Sequence, residues 1–159
     1  FVPKAQTPFQ WCGQIDRQEI VRRQQVLMDS LKIKNVTYSL HGWQASFLEA
    51  VLARGGRRLA PVIEGAWRRG SRLDGWDECF DLGRWLEAFD ECRVDPAFYA
   101  NRALGEYEIT PWDHIFSGVT KAYLRSEYER SLRGEPTPDC KAGCRNCGAL
   151  SLTGVKCDV

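Results

Sequence analysis

The sequence predicts a mostly α-helical fold with one or two short strands and an irregular cysteine-rich tail. Three observations carry that expectation. Apolar residues recur at helical spacing in several separate stretches of the 159-residue chain. Capping residues stand in front of three of those stretches, at Asp16, Asp95 and Thr120. Four of the seven cysteines crowd into the last twenty residues, where no apolar period continues.

Taken in order, Phe1-Val2 followed by Pro3, Thr7 and Pro8 reads as the end of a strand running into a loop. Asp16 then offers an N-cap with Glu19 three residues on as its capping-box partner. Ile20, Val21, Leu27, Met28 and Leu31 keep helical spacing against Arg17, Arg22, Arg23 and Asp29, which predicts an amphipathic helix over about 15–31. Val36, Tyr38 and Leu40 alternate with Thr37 and Ser39 and predict a short strand ending at His41-Gly42. Trp43, Phe47, Leu48, Val51 and Leu52 form a helical stripe closed by Gly55-Gly56. The next helix carries Leu59, Val62, Ile63, Ala66 and Trp67, with Pro61 tolerable only in its first turn. Leu82, Trp85, Leu86 and Phe89 make another, and Asp95-Pro96 starts a short one. Thr120 caps a last helix through Leu124, Tyr128 and Leu132 that stops at Gly134 before Pro136.

Composition narrows the classes. Hydrophobic content of 43% and charged content of 27% are ordinary globular values. A net charge of +1 argues against a strongly basic nucleic-acid domain and against an acidic tail. No apolar run of about 18 residues occurs, so no membrane span is expected. The start at Phe1-Val2-Pro3-Lys4 reads as a cut inside a longer polypeptide. Seven cysteines, clustered rather than spread, fit a reducing cytoplasmic setting with a metal site better than a secreted disulfide framework.

Cys140-Lys-Ala-Gly-Cys144-Arg-Asn-Cys147-Gly148 is the sharpest chemical signal. Three closely spaced thiols in a turn with Gly143 and Gly148 can converge on one ion, and Cys157 offers a fourth. Soft thiolates select zinc or an iron–sulfur cluster. Disulfide pairing within the tail and an idle, solvated tail are the other readings. The spacing also matches the cluster loop that cleaves S-adenosylmethionine in radical SAM enzymes. That loop opens a barrel, whereas only twelve residues follow Cys147, and Asn146 stands where an aromatic is usual. The tail is therefore not read as the SAM-cleaving site.

Other blocks nevertheless point to the same superfamily. Phe1-Val-Pro-Lys-Ala-Gln-Thr-Pro-Phe-Gln-Trp11, Ser46-Phe-Leu-Glu-Ala-Val-Leu-Ala-Arg-Gly55 and Arg57-Arg-Leu59 carry the first part of the likeness. Pro111-Trp-Asp-His-Ile115, Gly118-Val119 and the run from Tyr128-Glu to Thr137-Pro-Asp-Cys140 carry the rest. Together they resemble the C-terminal region of radical SAM proteins that have an N-terminal cobalamin-binding-type domain. The resemblance implies that residues 1–14 end the catalytic barrel, 15–134 form a helical post-barrel domain, and 135–159 form a metal-binding tail. It implies an upstream barrel of the same polypeptide as partner, with S-adenosylmethionine and a four-iron cluster as cofactors, with or without cobalamin. It puts Pro3, Lys4, Thr7 and Pro8 near the cofactor pocket. The family closes its cysteine knot soon after its Cys-Gly pair, while here residues 149–156 intervene before Cys157.

Two weaker candidates remain. Asp113 beside His114 would suit a tuned proton donor or ligand, or a turn completing its own hydrogen bonds. Arg54, Arg57, Arg58, Arg68, Arg69 and Arg72 precede an acidic stretch from Asp74 to Glu91. Arg54, Arg57 and Arg58 would orient an anionic substrate or contact the barrel, or the whole set would grip RNA phosphates as part of a zinc-stabilised module. The plain alternative is two neighbouring helices pairing opposite charges. No Gly-rich phosphate loop and no hydrolase motif is present.

Overall fold

The computed structural model describes residues 2–152 and Gly154. All six expected helices form: α1 (Arg17–Ser30), α2 (Trp43–Arg54), α3 (Ala60–Arg68), α4 (Leu82–Glu91), α5 (Pro96–Ala100) and α6 (Lys121–Leu132). Short 3-10 turns lie at Pro8–Trp11, Arg57–Leu59, Cys140–Ala142 and Ala149–Leu152. The fold is mostly α, and the described residues contain no strand. None of their helices is long and apolar enough to cross a membrane.

The predicted strand at 36–40 is thus corrected. A strand needs a ladder partner for its N–H and C=O groups, and none is present among the described residues. Val36, Tyr38 and Leu40 stay 44%, 45% and 38% exposed. Of the strand end expected at Phe1-Val2, Phe1 lies outside the described residues, and Val2 stands in a loop that leads to a 3-10 turn.

The chain divides into two compact units, one of Gly13–Ala103 with Val2, the other of Pro3–Cys12 with the residues from Leu104 onward. In the first unit α2 packs on α5 and α3 on α4. Their buried faces meet in one core of Leu48, Val51, Leu59, Val62, Ala66, Trp85, Ala88, Phe89 and Ala100. Gly65 lets α3 approach α4 closely, since a Cβ there would lie 3.3 Å from Ala88 Cβ, and Trp85 hands its indole N–H to Asp74 at 2.8 Å. Arg54, 4% exposed, donates to the carbonyls of Ala100 at 2.7 Å and Arg102 at 2.6 Å. It therefore ties the end of α2 to the end of α5. α1 behaves differently, since no residue of it is buried. Asp16 caps it by accepting from Glu19 N–H at 2.9 Å. The reciprocal half of the expected capping box is missing, because Arg22 and Arg23 claim the Glu19 carboxylate.

In the second unit the Pro8–Trp11 turn lies against α6. Trp11, Trp112 and Leu124 are its buried apolar centre. Trp11 and Tyr128 rings meet at 5.9 Å, and the Arg125 guanidinium sits 5.3 Å from Trp11. Two glutamines stitch the N-terminal loop to residues 112–117. Gln10 Oε1 accepts from Trp112 Nε1 at 2.6 Å, and Gln6 Nε2 donates to Ile115 O at 2.9 Å. Gln6 does so from a left-handed backbone with φ of 57°.

Candidate metal-binding turn and the other predicted residues

The cysteine turn is built onto the start of α6. Thr120 caps that helix, its hydroxyl accepting from Tyr123 N–H at 3.2 Å, as its sequence position predicts. The Thr120 N–H in turn donates to the Cys147 carbonyl at 2.8 Å, which seats the tail there. Gly148 follows with φ of 88°, and a Cβ on it would fall 2.7 Å from Thr120 Cγ2. Only glycine fits that position on both counts.

Two backbone amides point at sulfur. Asn146 N–H lies 3.4 Å from Cys144 Sγ, and Ala149 N–H lies 3.5 Å from Cys147 Sγ. Asn146 itself takes a left-handed backbone, with φ of 53°. Amide donors of this kind tune thiolate-held clusters. Cys140 begins its own 3-10 turn, fixed by Asp139 accepting from Lys141 N–H at 2.9 Å. Cys140 and Cys144 are exposed free thiols, and Cys147 is a half-buried one.

Tyr123 reports on the neighbourhood. Burial pushes its hydroxyl pKa up, and negative charge on Glu127, Cys147 and Cys140 adds to the rise against Arg130. A cavity of about 300 Å³ opens beside it, lined in part by Thr120, Tyr123, Arg130, Arg145 and Asn146. Among the described residues no group of three or more His, Cys, Asp or Glu side chains is gathered closely enough to hold a metal. The expected fourth ligand, Cys157, lies outside the described residues. As donors, the Cys144–Cys147 pair fits half of a thiolate site: soft sulfur, a short turn, and an amide aimed at each atom.

The residues expected near a cofactor pocket form one continuous turn. Pro3 is fully buried, Lys4 is exposed, and the Thr7 hydroxyl donates to the Lys4 carbonyl at 2.8 Å. Pro8 starts the 3-10 turn. The cavity in this region, about 320 Å³, is lined instead by Gln6, Gln10, Trp112, Asp113 and Lys121 among others. Gln6 and Gln10 escaped the sequence reading, although two amides one helical turn apart between prolines and aromatics were a usable signal.

Asp113 and His114 are not joined. The Asp113 carboxylate accepts from Thr110 N–H at 2.9 Å, Thr110 Oγ1 at 2.7 Å and Lys121 Nζ at 2.8 Å. Partial burial pushes its pKa up, but the hydrogen bonds from Lys121 and Thr110 outweigh that and hold it below the usual range. His114 is exposed and forms no side-chain hydrogen bond among the described residues. The arginines divide. Arg54 is buried on backbone carbonyls. Arg68 pairs with Glu64 at 2.6 Å, Arg69 bridges from α3 to Glu87 and Glu91 of α4, and Arg72 lies 5.0 Å over the Trp67 ring. Arg57 and Arg58 are exposed and form no ion pair among the described residues.

Comparison of the chain with protein-family models, with curated proteins and with solved structures finds no match.

Proposed function

We propose that this chain is the C-terminal part of an S-adenosylmethionine-dependent radical enzyme, that its tail holds zinc or an auxiliary iron–sulfur cluster, and that it does not catalyse alone. The metal part rests on one observation, the amide aimed at each sulfur of Cys144 and Cys147. Such donors offset the charge of a thiolate and orient it before a metal arrives. Cys140 and Cys157 complete four ligands. The enzyme part rests on the blocks of sequence likeness, with Pro3, Lys4, Thr7 and Pro8 toward the cofactor and Arg57 and Arg58 toward substrate or barrel. The test is metal analysis with visible absorption of chain purified without oxygen. About one zinc per chain with no visible band, or iron and sulfide with a broad band, is expected. Cys144→Ser with Cys147→Ser abolishes either one while leaving the helical circular dichroism in place. A folded, metal-free wild type sinks the metal reading.

A second reading, a zinc-stabilised module binding RNA or protein through its arginines, is favoured by the free exposure of Arg57 and Arg58. The pairing of Arg68 and Arg69 weighs against it. A steep loss of RNA affinity with salt would support it.

A further inference from the structure

α4 ends in a tight backbone lock. Val94 N–H reaches back to Phe89 O at 2.9 Å, and Arg93 N–H to Asp90 O at 2.9 Å. This pair of bonds needs a left-handed residue between them, normally glycine. The position is held by Arg93, at φ of 52°. A long side chain kept in a conformation that glycine adopts freely is a strained choice, and such strain gathers at binding sites.

The side chain borders a recess of about 550 Å³, within the range of small-ligand sites. Arg58, Cys92, Asp95, Phe98 and Tyr99 line it as well. Arg58 and Arg93 are both exposed, and among the described residues neither forms an ion pair or a side-chain hydrogen bond. The single acid, Asp95, is already engaged, accepting from Ala97 N–H at 2.9 Å. Phe98 is 53% exposed. The Arg102 guanidinium covers one face of its ring at 4.4 Å, and Tyr99 meets it edge-on with centroids 5.3 Å apart. The remaining exposed ring surface is available to stack.

We propose that this recess binds a nucleoside monophosphate unit, the phosphate between Arg58 and Arg93 and the base against Phe98. The charges balance, since a phosphate monoester carries about −1.5 to −2 near neutral pH and two guanidiniums offer it paired donors. Base-on-aromatic stacking accounts for an exposed phenylalanine that a bare anion site would not need. The unit is either a free nucleotide or an unstacked residue of a single strand, because both present a base and a phosphate group, a monoester in the first and a singly charged diester in the second. The site is independent of the metal in the tail.

The test is calorimetric titration of the whole chain with AMP, adenosine, inorganic phosphate and a short single-stranded RNA. AMP is expected to bind below ~1 mM, with adenosine and phosphate each weaker by about tenfold or more, because each keeps half of the contacts. Arg93→Gly and Phe98→Ala each lower AMP affinity about tenfold. Arg93→Gly relieves backbone strain, so it keeps the fold and its loss reads on binding alone. Arg68→Ala, on a pair elsewhere on α3, leaves binding unchanged. Binding of AMP but not RNA assigns a free nucleotide. Binding of RNA but not AMP, with the same loss in Arg93→Gly, assigns a strand. No binding of either, adenosine as tight as AMP, or affinity unchanged in Arg93→Gly overturns the proposal.

Discussion

α4 and α6 close with the same pair of backbone bonds, one around Arg93 and the other around Gly134. At α6, Glu135 N–H returns to Arg130 O at 3.0 Å and Gly134 N–H to Ser131 O at 3.1 Å, with Gly134 at φ of 69°. A Cβ on Gly134 would meet nothing within 4 Å, so glycine is there for its backbone alone. At α4 the same geometry carries an arginine that lines a recess. The first end follows the local preference of the chain, and the second overrides it by about 1 kcal/mol. A residue that defies local preference must be held by the rest of the fold, and among the described residues the Arg93 side chain forms no ion pair or side-chain hydrogen bond that would do so.

α5 ends in a third way, and it supplies the largest expected effect. Its carbonyls at Ala100 and beyond, at Arg102, take their donors from Arg54 of α2. Arg54→Met keeps length and apolar stem but removes both donors from a site that is 4% exposed. Removing both donors, while the Ala100 carbonyl keeps the Gln14 N–H at 2.8 Å, should cost ~2 kcal/mol, read as a drop in the denaturation midpoint of the first unit. A loss below ~1 kcal/mol would mean that water or a neighbour serves those carbonyls as well.

The smaller effects come as a pair with opposite signs. Gly134→Ala should destabilise by ~1 kcal/mol through backbone strain alone. Arg93→Gly should stabilise by ~1 kcal/mol, offset in part by the greater freedom of glycine in the unfolded chain. Chemical denaturation checks both. If Arg93→Gly destabilises, the arginine side chain contributes packing that the contrast between the two helix ends ignores.

The sequence made the helix ends far more legible than the segments around them. Asp16, Asp95 and Thr120 cap as their positions predict, because a cap is a local contract between one side chain and an N–H two or three residues on. Gly134 closes α6 for the same local reason. Gly55-Gly56 was legible as a stop but not for its cause. Gly55 has an extended backbone with φ of −77°, and it is small because Leu59 Cδ1 would lie 1.9 Å from its Cβ. The strand signal at 36–40 failed because alternation records a face, while pairing depends on a distant partner. At the candidate site the cysteine spacing was legible, and so was the need for glycine at 148. The seat of that turn on the Thr120 N–H was not, since it is a tertiary bond. The recess beside Arg93 was invisible for the same reason: Arg58 and Phe98 are forty residues apart in sequence.

α1 extends the contrast to a helix that has little besides its ends. It buries no residue, and Val21, Val26 and Leu27 are about half exposed. Beyond Gln24 Nε2 on the His41 carbonyl at 3.0 Å and the Arg17 guanidinium 4.5 Å over the Trp43 ring, its order depends on the Asp16 cap and on Glu19, whose carboxylate takes Arg22 Nε at 2.6 Å and Arg23 Nε at 2.7 Å. Those hydrogen bonds, Arg22 first and Arg23 second, lower the Glu19 pKa from 4.5 to about 2. A lowered carboxylate pKa stabilises the ordered helix fully above the unfolded value and loses that support as pH falls through the folded one. Amide exchange across 17–30 should thus stay slow from neutral pH down to about 4.5 and quicken, relative to intrinsic rates, toward pH 2. Glu19→Gln should show the quicker exchange already at neutral pH, and added salt should narrow the gap because the group is exposed. α3 and α4 should not follow, since their buried faces hold them whatever the charge. If exchange in α1 ignores both pH and Glu19→Gln, the helix is held by contacts other than its own ends.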